Sequence, residues 1–347
     1  MELHKLPSRL KASYRGSNVG NRVQHFEEWT DRAHAEDVDP TAYNHAETVK
    51  EYYNLCSEFM VFGWGESLHF APLSPRETLE DSKIRHQRLM IEKLELREGM
   101  TVVDVGCGIG GPMRRVVGEA GVRVVGVNNS EVQLERTKAL NAAAGIEDMV
   151  DYLACSFMDM GAAADDTFDR AYAIESTCHA PDKAAAFAEI YRVLKPGALF
   201  WGQEMCMTDK FDPQDDQHQA IKRDLMHGIA LHDIATTNEV DRALEKAGFQ
   251  IIEGKDRGVV KDDQSTPWYA PMETNRGTRG SDLRRIPLSR KVMHGASRLA
   301  QGLRIIPKDS ADVVELLDET AKAYVAGGKT GIFTPLYCFL VRKPETG

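Results

Sequence analysis

From about residue 80 onward, short apolar runs alternate with stretches whose apolar positions recur at helical spacing. A β-branched apolar run bounded by turn residues predicts a buried strand, and apolar residues three and four apart predict an amphipathic helix. The pattern predicts strands at 101–105, 122–127, 149–154, 168–174, 198–205, 249–255 and 332–342. Helices are expected at 81–95, 112–120, 130–144, 182–194 and 236–247, with Ser130 capping the third and Lys195-Pro196-Gly197 ending the fourth. Regular alternation of this kind implies an α/β, Rossmann-like, doubly wound seven-stranded sheet with helices on both faces. The last two strands lie on either side of a long insertion and are expected to form an antiparallel edge. Residues 1–45 are polar and read as helical or loose, whereas the Arg/Gly/Ser-rich stretches of 256–308 suit a lid or a flexible linker.

Composition narrows the partners. The 347 residues carry a net charge of −10, and apart from a cluster between Arg276 and Arg290 the basic residues are dispersed, so nucleic acid is not an expected partner. Cysteines at 56, 107, 155, 178, 206 and 338 form no C-x-x-C pair and no metal-ligand spacing, so no metal is expected and the thiols read as reduced. No apolar run approaches the length of a membrane span. A cytoplasmic location is expected, with any membrane contact peripheral and homo-oligomer formation left open.

The candidate chemistry begins at Asp104-Val105-Gly106-Cys107-Gly108-Ile109-Gly110-Gly111-Pro112, where a strand runs into a glycine turn and a helix start. Gly106, Gly108 and Gly110 would let backbone amides approach a ligand at a helix N-terminus, which suits a dinucleotide as well. Asp104 favours another ligand. A pyrophosphate gains nothing from a nearby anion, whereas S-adenosylmethionine brings an ammonium and a sulfonium for a carboxylate to attract. The competing reading is an Asp that only caps the turn. After the second strand, Asn128 and Asn129 stand where ribose hydroxyls are read in such folds, or else serve the turn before the next helix. Gln133, Ser156 and Phe157 complete the expected cofactor set.

The protein resembles the sterol C-methyltransferase family over about residues 49–344. The resemblance rests on Tyr52-Tyr53-Asn54, Gly63-Trp64-Gly65-Glu66-Ser67-Leu68-His69-Phe70 and Ile174-Glu175-Ser176-Thr177-Cys178-His179-Ala180-Pro181, with further strings at Met207-Thr208-Asp209-Lys210, Pro267-Trp268-Tyr269 and Gly327-Gly328-Lys329. It implies methyl transfer from S-adenosylmethionine to a carbon of a sterol or triterpenoid, usually C-24 of the side chain. It also implies the class I methyltransferase form of the sheet, with an N-terminal cap over 1–80, a donor-binding core over 81–255 and a sterol-binding region over 256–347. Alkylating an alkene needs no nucleophile from the protein; it needs a dry, aromatic pocket that tolerates a cation, and a base for one proton. Glu175 and His179, after the fourth strand, are the expected catalytic pair, joined by Glu204 at the end of the fifth. Trp64, His69, Phe70 and Asp224 are the expected substrate contacts.

Departures from the family pattern keep an alternative open. Met60-Val61-Phe62 stands where the family has Tyr-Glu-Tyr, Met205 replaces a Trp, Ser156 replaces an Asp, and one acid, Asp224, survives from an acidic segment. A thinner cation-stabilising wall would also suit methylation at another carbon, such as A-ring C-4 of a 3-keto sterol, with His69, His179, His227 or His232 as base. A protein that binds sterol or S-adenosylmethionine without turnover is the remaining possibility.

Overall fold

The computed structural model describes residues 3–33, 45–75, 77–259, 266–273 and 283–345. Three helices precede the sheet: α1 (Leu6–Ser13), α2 (Val19–Ala33) and α3 (His45–Trp64). The alternating part follows as α4 (Leu79–Lys93), β1 (Thr101–Val105), α5 (Gly111–Ala120), β2 (Arg123–Val127), α6 (Glu131–Ala143), β3 (Val150–Leu153), β4 (Phe168–Ile174), α7 (Lys183–Val193) and β5 (Leu194–Met207). Then come α8 (Asp216–Gly228), α9 (Thr237–Lys246), β6 (Gln250–Asp256), α10 (Ala270–Glu273), α11 (Pro287–Gly302), α12 (Ser310–Thr330) and β7 (Phe333–Arg342).

The seven strands form one sheet in the order β3-β2-β1-β4-β5-β7-β6. β1 to β5 are parallel, and β7 runs antiparallel between β5 and β6, so the last two strands make the expected antiparallel edge. Alternation within β1 divides the core: Val103 and Val105 pack with α7 and α9 on one face, whereas Val102 packs with α4 and α5 on the other. Helix starts follow local chemistry. Ser130 accepts the Gln133 N–H as predicted, and Thr78 and Thr236 form capping boxes with Asp81 and Glu239.

One strand, β5, differs from the sequence expectation. α7 ends at Val193, Leu194 already pairs with Phe168 of β4, and past Pro196-Gly197, where the Gly197 N–H donates to Lys343 O (2.8 Å), the strand runs on to Met207. β5 is therefore longer at both ends than the 198–205 segment.

The described parts of the flanking segments are packed helices, and residues 34–44 of the first lie outside the described residues. Leu10 of α1, Phe26 of α2, Leu55 of α3 and Val313 of α12 share one apolar cluster, with Met293 of α11 against it. Part of the expected linker is thus helix α11; its stretches 260–265 and 274–282 lie outside the described residues.

Candidate active site

The glycine turn after β1 is built for close approach. Gly106 has φ +83°, and a Cβ there would stand 2.3 Å from that of Ser176, so only glycine fits. The Gly106 and Cys107 N–H groups both donate to Val127 O (3.0 Å each), which fastens the turn to the end of β2. Around it lies a cavity of about 1160 Å³, open at its mouth, whose wall includes Asp104, Gly106, Gly108, Asn128, Asn129, Gln133, Ser156 and Phe157. Gly110 is not part of that wall. Its φ of +74° makes it the left-handed N-cap of α5, and a Cβ would meet Thr137, so its expected cofactor contact gives way to a structural one.

Asp104 is paired in register with Tyr172 of β4, whose hydroxyl donates to Oδ2 (2.7 Å). Burial raises its carboxyl to about 7 against that stabilising bond. Asn128 is spent inside the loop: its Nδ2 donates to Gly108 O (3.2 Å) and Gln133 Oε1 (2.9 Å), while Oδ1 accepts the Ser130 N–H (2.9 Å). Asn129 is exposed on the same wall, and among the described residues its amide has no hydrogen-bond partner, so it is the better placed of the two for ribose hydroxyls. Ser156 accepts the Met158 N–H (3.1 Å), and Phe157 offers an aromatic face beside it. A carboxylate, an open glycine turn, a ready amide and an aromatic ring fit S-adenosylmethionine part by part.

We expect Asp104→Ala to weaken S-adenosylmethionine binding by about 10-fold or more, through a lost charge-assisted bond of about 1.5–3 kcal/mol. Because Asp104 must ionise to attract an ammonium, wild-type affinity should tighten as pH rises toward about 7. Calorimetry at several pH values checks both; an affinity unchanged in a well-folded variant would remove Asp104 from the donor site.

A second cavity, of about 1140 Å³, adjoins the first. Its wall is mainly apolar and aromatic, with Tyr52, Tyr53, Phe59 and Trp64 from α3, Phe70 from the following loop and Tyr324 from α12. Phe70 packs edge-on to Trp64, Trp268 and Tyr324, with ring centroids 6.0, 5.3 and 4.9 Å away. Met60, Phe62 and Met205, three of the departures from the family pattern, line this cavity, whereas Val61 is buried outside its wall.

The two cavities share five residues: Tyr53, Leu68, His69, Glu175 and His179. Glu175 sits just past β4 at φ +51°, a left-handed conformation that costs a non-glycine residue about 1 kcal/mol. Its N–H donates to Gln203 O (2.9 Å), and its Oε1 accepts from the Phe70 N–H and from Gln203 Nε2, both at 2.6 Å. Gln203 is oriented in turn by His86 Nε2, 2.8 Å from its Oε1. Burial pushes the Glu175 carboxyl up to about 8, outweighing those hydrogen bonds, so the free protein holds it neutral near pH 7. His179 shares a 3.1 Å hydrogen bond between its Nε2 and the Tyr53 hydroxyl.

His69 lines both cavities but is not placed to act as a base. Its Nδ1–H donates to Phe70 O (2.6 Å), its Nε2 faces Gln87 Nε2 at 2.8 Å, and burial first, then the Lys83 charge, lowers its pKa to about 3. His227 bonds Thr30 Oγ1 through Nδ1 (2.8 Å), and neither it nor His232 lines either cavity.

Two expected site residues lie elsewhere. Glu204 is fully buried but borders neither cavity: Oε1 accepts from the Thr177 hydroxyl and Oε2 pairs with Lys183 Nζ at 3.0 Å. Because β5 continues to Met207, position 204 is inside the sheet, opposite Tyr337, and not beyond its edge. Its catalytic assignment is replaced by a structural one. Asp224 is exposed on α8 and borders neither cavity, so the structure does not bring it to the other expected substrate contacts. Gln203, His86 and Tyr324 carry no local sequence signal; they come together only through strand and helix packing.

A glycine-turn cavity on a mixed seven-stranded sheet, sharing a carboxylate-bearing wall with an aromatic one, defines an S-adenosylmethionine-dependent class I methyltransferase. Residues 41–276 match the family described as Mycolic acid cyclopropane synthetase, and residues 282–345 match Sterol methyltransferase C-terminal. The protein is 38% identical over 340 residues to cycloartenol-C-24-methyltransferase of Arabidopsis thaliana, covering 98% of its own length and 99% of that relative. It is 37% identical to sterol 24-C-methyltransferase of Eremothecium gossypii, covering 94% and 88%. It belongs to the sterol C-methyltransferase family. Among solved structures, cyclopropane synthase from Mycobacterium tuberculosis matches with TM-score 0.65 at 20% identity, over 86% of this protein and 99% of that one. Geranyl diphosphate C-methyltransferase from Streptomyces coelicolor, solved with S-adenosyl-L-homocysteine, matches with TM-score 0.63 at 17% identity, over 88% and 100%. These two share the fold.

Proposed function

We propose that the protein methylates C-24 in the side chain of a sterol or related triterpenoid, with donor and acceptor meeting at the wall shared by the two cavities. The observation that carries this reading is that Glu175 and His179 border both spaces, one polar and glycine-lined, the other aromatic. Residues 81–255 supply the donor side, and the acceptor side is closed by α3 and α12 from the flanking segments.

S-adenosylmethionine, when bound, supplies a methyl group on a positively charged sulfur. Transfer of that methyl to an alkene carbon would leave a cation on the sterol for the protein to hold. The faces of Tyr52, Tyr53, Trp64, Phe70 and Tyr324 favour that charge and exclude water. Glu175 is neutral in the free protein, and a neighbouring cation shifts it toward carboxylate, where it stabilises the developing positive charge and accepts the proton whose loss restores a double bond. Phe70 N–H and Gln203 hold the accepting group in place, and the Tyr53–His179 pair fixes the opposite side of the wall.

The test is regiochemical. Incubation with labelled methyl donor and two sterols, one with a Δ24 double bond and one with a saturated side chain, should label the first alone. Fragmentation should place the label on the side chain. Labelling of a 3-keto sterol whose side chain is saturated would instead favour an A-ring enolate, and labelling of neither would favour a binding protein.

A further inference from the structure

Helix α11 turns an apolar stripe away from the protein. Met293, Ser297 and Ala300 are the partly or fully buried side of the helix. On another side Leu288, Val292 and Leu299 are 57%, 61% and 66% exposed, in line along the helix, and Leu303 at 62% continues the row. Leu283 and Ile305 are exposed at the two ends of the same segment. Isolated exposed leucines are ordinary on a protein surface; a run of them on one helix face marks a docking surface.

The charge of the segment identifies what docks. Between residues 283 and 308 stand Arg284, Arg285, Arg290, Lys291, Arg298, Arg304 and Lys308 and not one Asp or Glu, in a protein whose net charge is −10. Arg285 is buried and Arg290 pairs with Asp318 of α12 at 2.6 Å, so the exposed cations are Arg284, Lys291, Arg298, Arg304 and Lys308. Lys291 and Arg298 are exposed beside the stripe, Arg298 at 3.9 Å from the Glu315 carboxylate of α12. An apolar row flanked by cations matches an anionic lipid surface, where acyl tails take the leucines and headgroup phosphates take the ammonium and guanidinium groups.

The same segment builds the acceptor cavity. Arg284, Arg285, Arg290 and Met293 all line it. Arg284 donates to Phe62 O (2.9 Å), and Arg285 donates to Gly63 O while lying over the Trp64 ring, so the start of the segment is tied to the end of α3. No described helix is long and apolar enough to cross a membrane.

We propose that residues 283–305 dock the protein on an anionic phospholipid bilayer, setting the acceptor cavity beside the lipid that supplies its substrate. The docking rests on the exposed stripe and its charge alone; the supply of substrate rests on the sterol reading above.

Sedimentation with vesicles of phosphatidylcholine, with and without phosphatidylserine, tests it. Wild-type protein should bind the phosphatidylserine vesicles, more weakly at high salt. Leu288→Asp/Val292→Asp/Leu299→Asp, and separately Lys291→Glu/Arg298→Glu, should each weaken binding by about ten-fold or more. These side chains are exposed, so circular dichroism and methylation of detergent-dispersed sterol should stay near wild type. Unchanged vesicle binding by the triple variant would overturn the proposal. So would a wild-type dimer that ignores vesicles and dissociates in that variant, which would assign the stripe to a second copy of the protein. Vesicle binding needs neither methyl donor nor sterol, so a protein that binds lipid but methylates no sterol would count against the methylation reading only.

Discussion

Replacing Glu175 with Gln should lower methyl transfer by about 100-fold while changing donor affinity by only a few-fold. The amide keeps the shape and the acceptor oxygen that the Phe70 N–H and Gln203 hold at 2.6 Å, and it removes the charge and the proton site. The pH dependence follows from burial. With the carboxyl raised to about 8, wild-type turnover should climb with pH as Glu175 ionises, with a midpoint below that value once the cationic donor is bound; the Gln variant should lack that limb. Stability runs the other way. The folded state keeps a proton that the unfolded protein releases at its ordinary value of 4.5, so the benefit of this group is complete below that pH and is lost as pH rises through about 8. The Gln variant should therefore be at least as stable as wild type in alkaline buffer. Near-normal turnover would make Glu175 a structural residue of the wall.

The second large effect is on stability. Lys183→Met should cost about 3–5 kcal/mol, because it strips the partner from a carboxylate with no exposed surface. Lys183 also donates to Thr177 O (3.1 Å), so the pair ties the loop carrying His179 to β5. Replacing both members, as in Lys183→Met/Glu204→Leu, should recover much of the loss by removing the stranded charge. Urea denaturation of the single and double variants measures this, and a silent Lys183→Met would show that the pair holds nothing. Glu204→Gln should keep most of its turnover; a folded variant with intact donor affinity but little methyl transfer would return Glu204 to catalysis.

The contrast between Glu175 and Glu204 shows what a sequence can convey. Both positions follow from the rule that ligands bind beyond the carboxyl ends of strands in open α/β sheets. For Glu175 the local signal is enough, since β4 ends at Ile174. For Glu204 the rule needs the strand's true end, which depends on pairing with β7 more than a hundred residues later. The placement of Asp104, Gly106 and Gly108 in one cavity wall is legible because it depends on a few consecutive residues. Gly110 and Asn128 differ in detail from expectation, because whether an atom faces the ligand or bonds its own loop is a matter of ångströms. The strands and their order-setting helices are legible from periodicity. Helices α3 and α12 are not: each is packed on more than one side, which blurs the polar face that marks a surface helix. Tyr324 is hidden with α12, and the Gln203–His86 support of Glu175 is hidden because it forms only where α4 packs on β5.

A crystal structure of the protein with S-adenosyl-L-homocysteine and a Δ24 sterol should hold the sulfur in the cavity of Asp104 and Gly106, with the sterol in the aromatic cavity and its alkene at the wall of Tyr53, Glu175 and His179. A sterol bound with its A ring at that wall, or outside the aromatic cavity altogether, would contradict the proposed C-24 transfer.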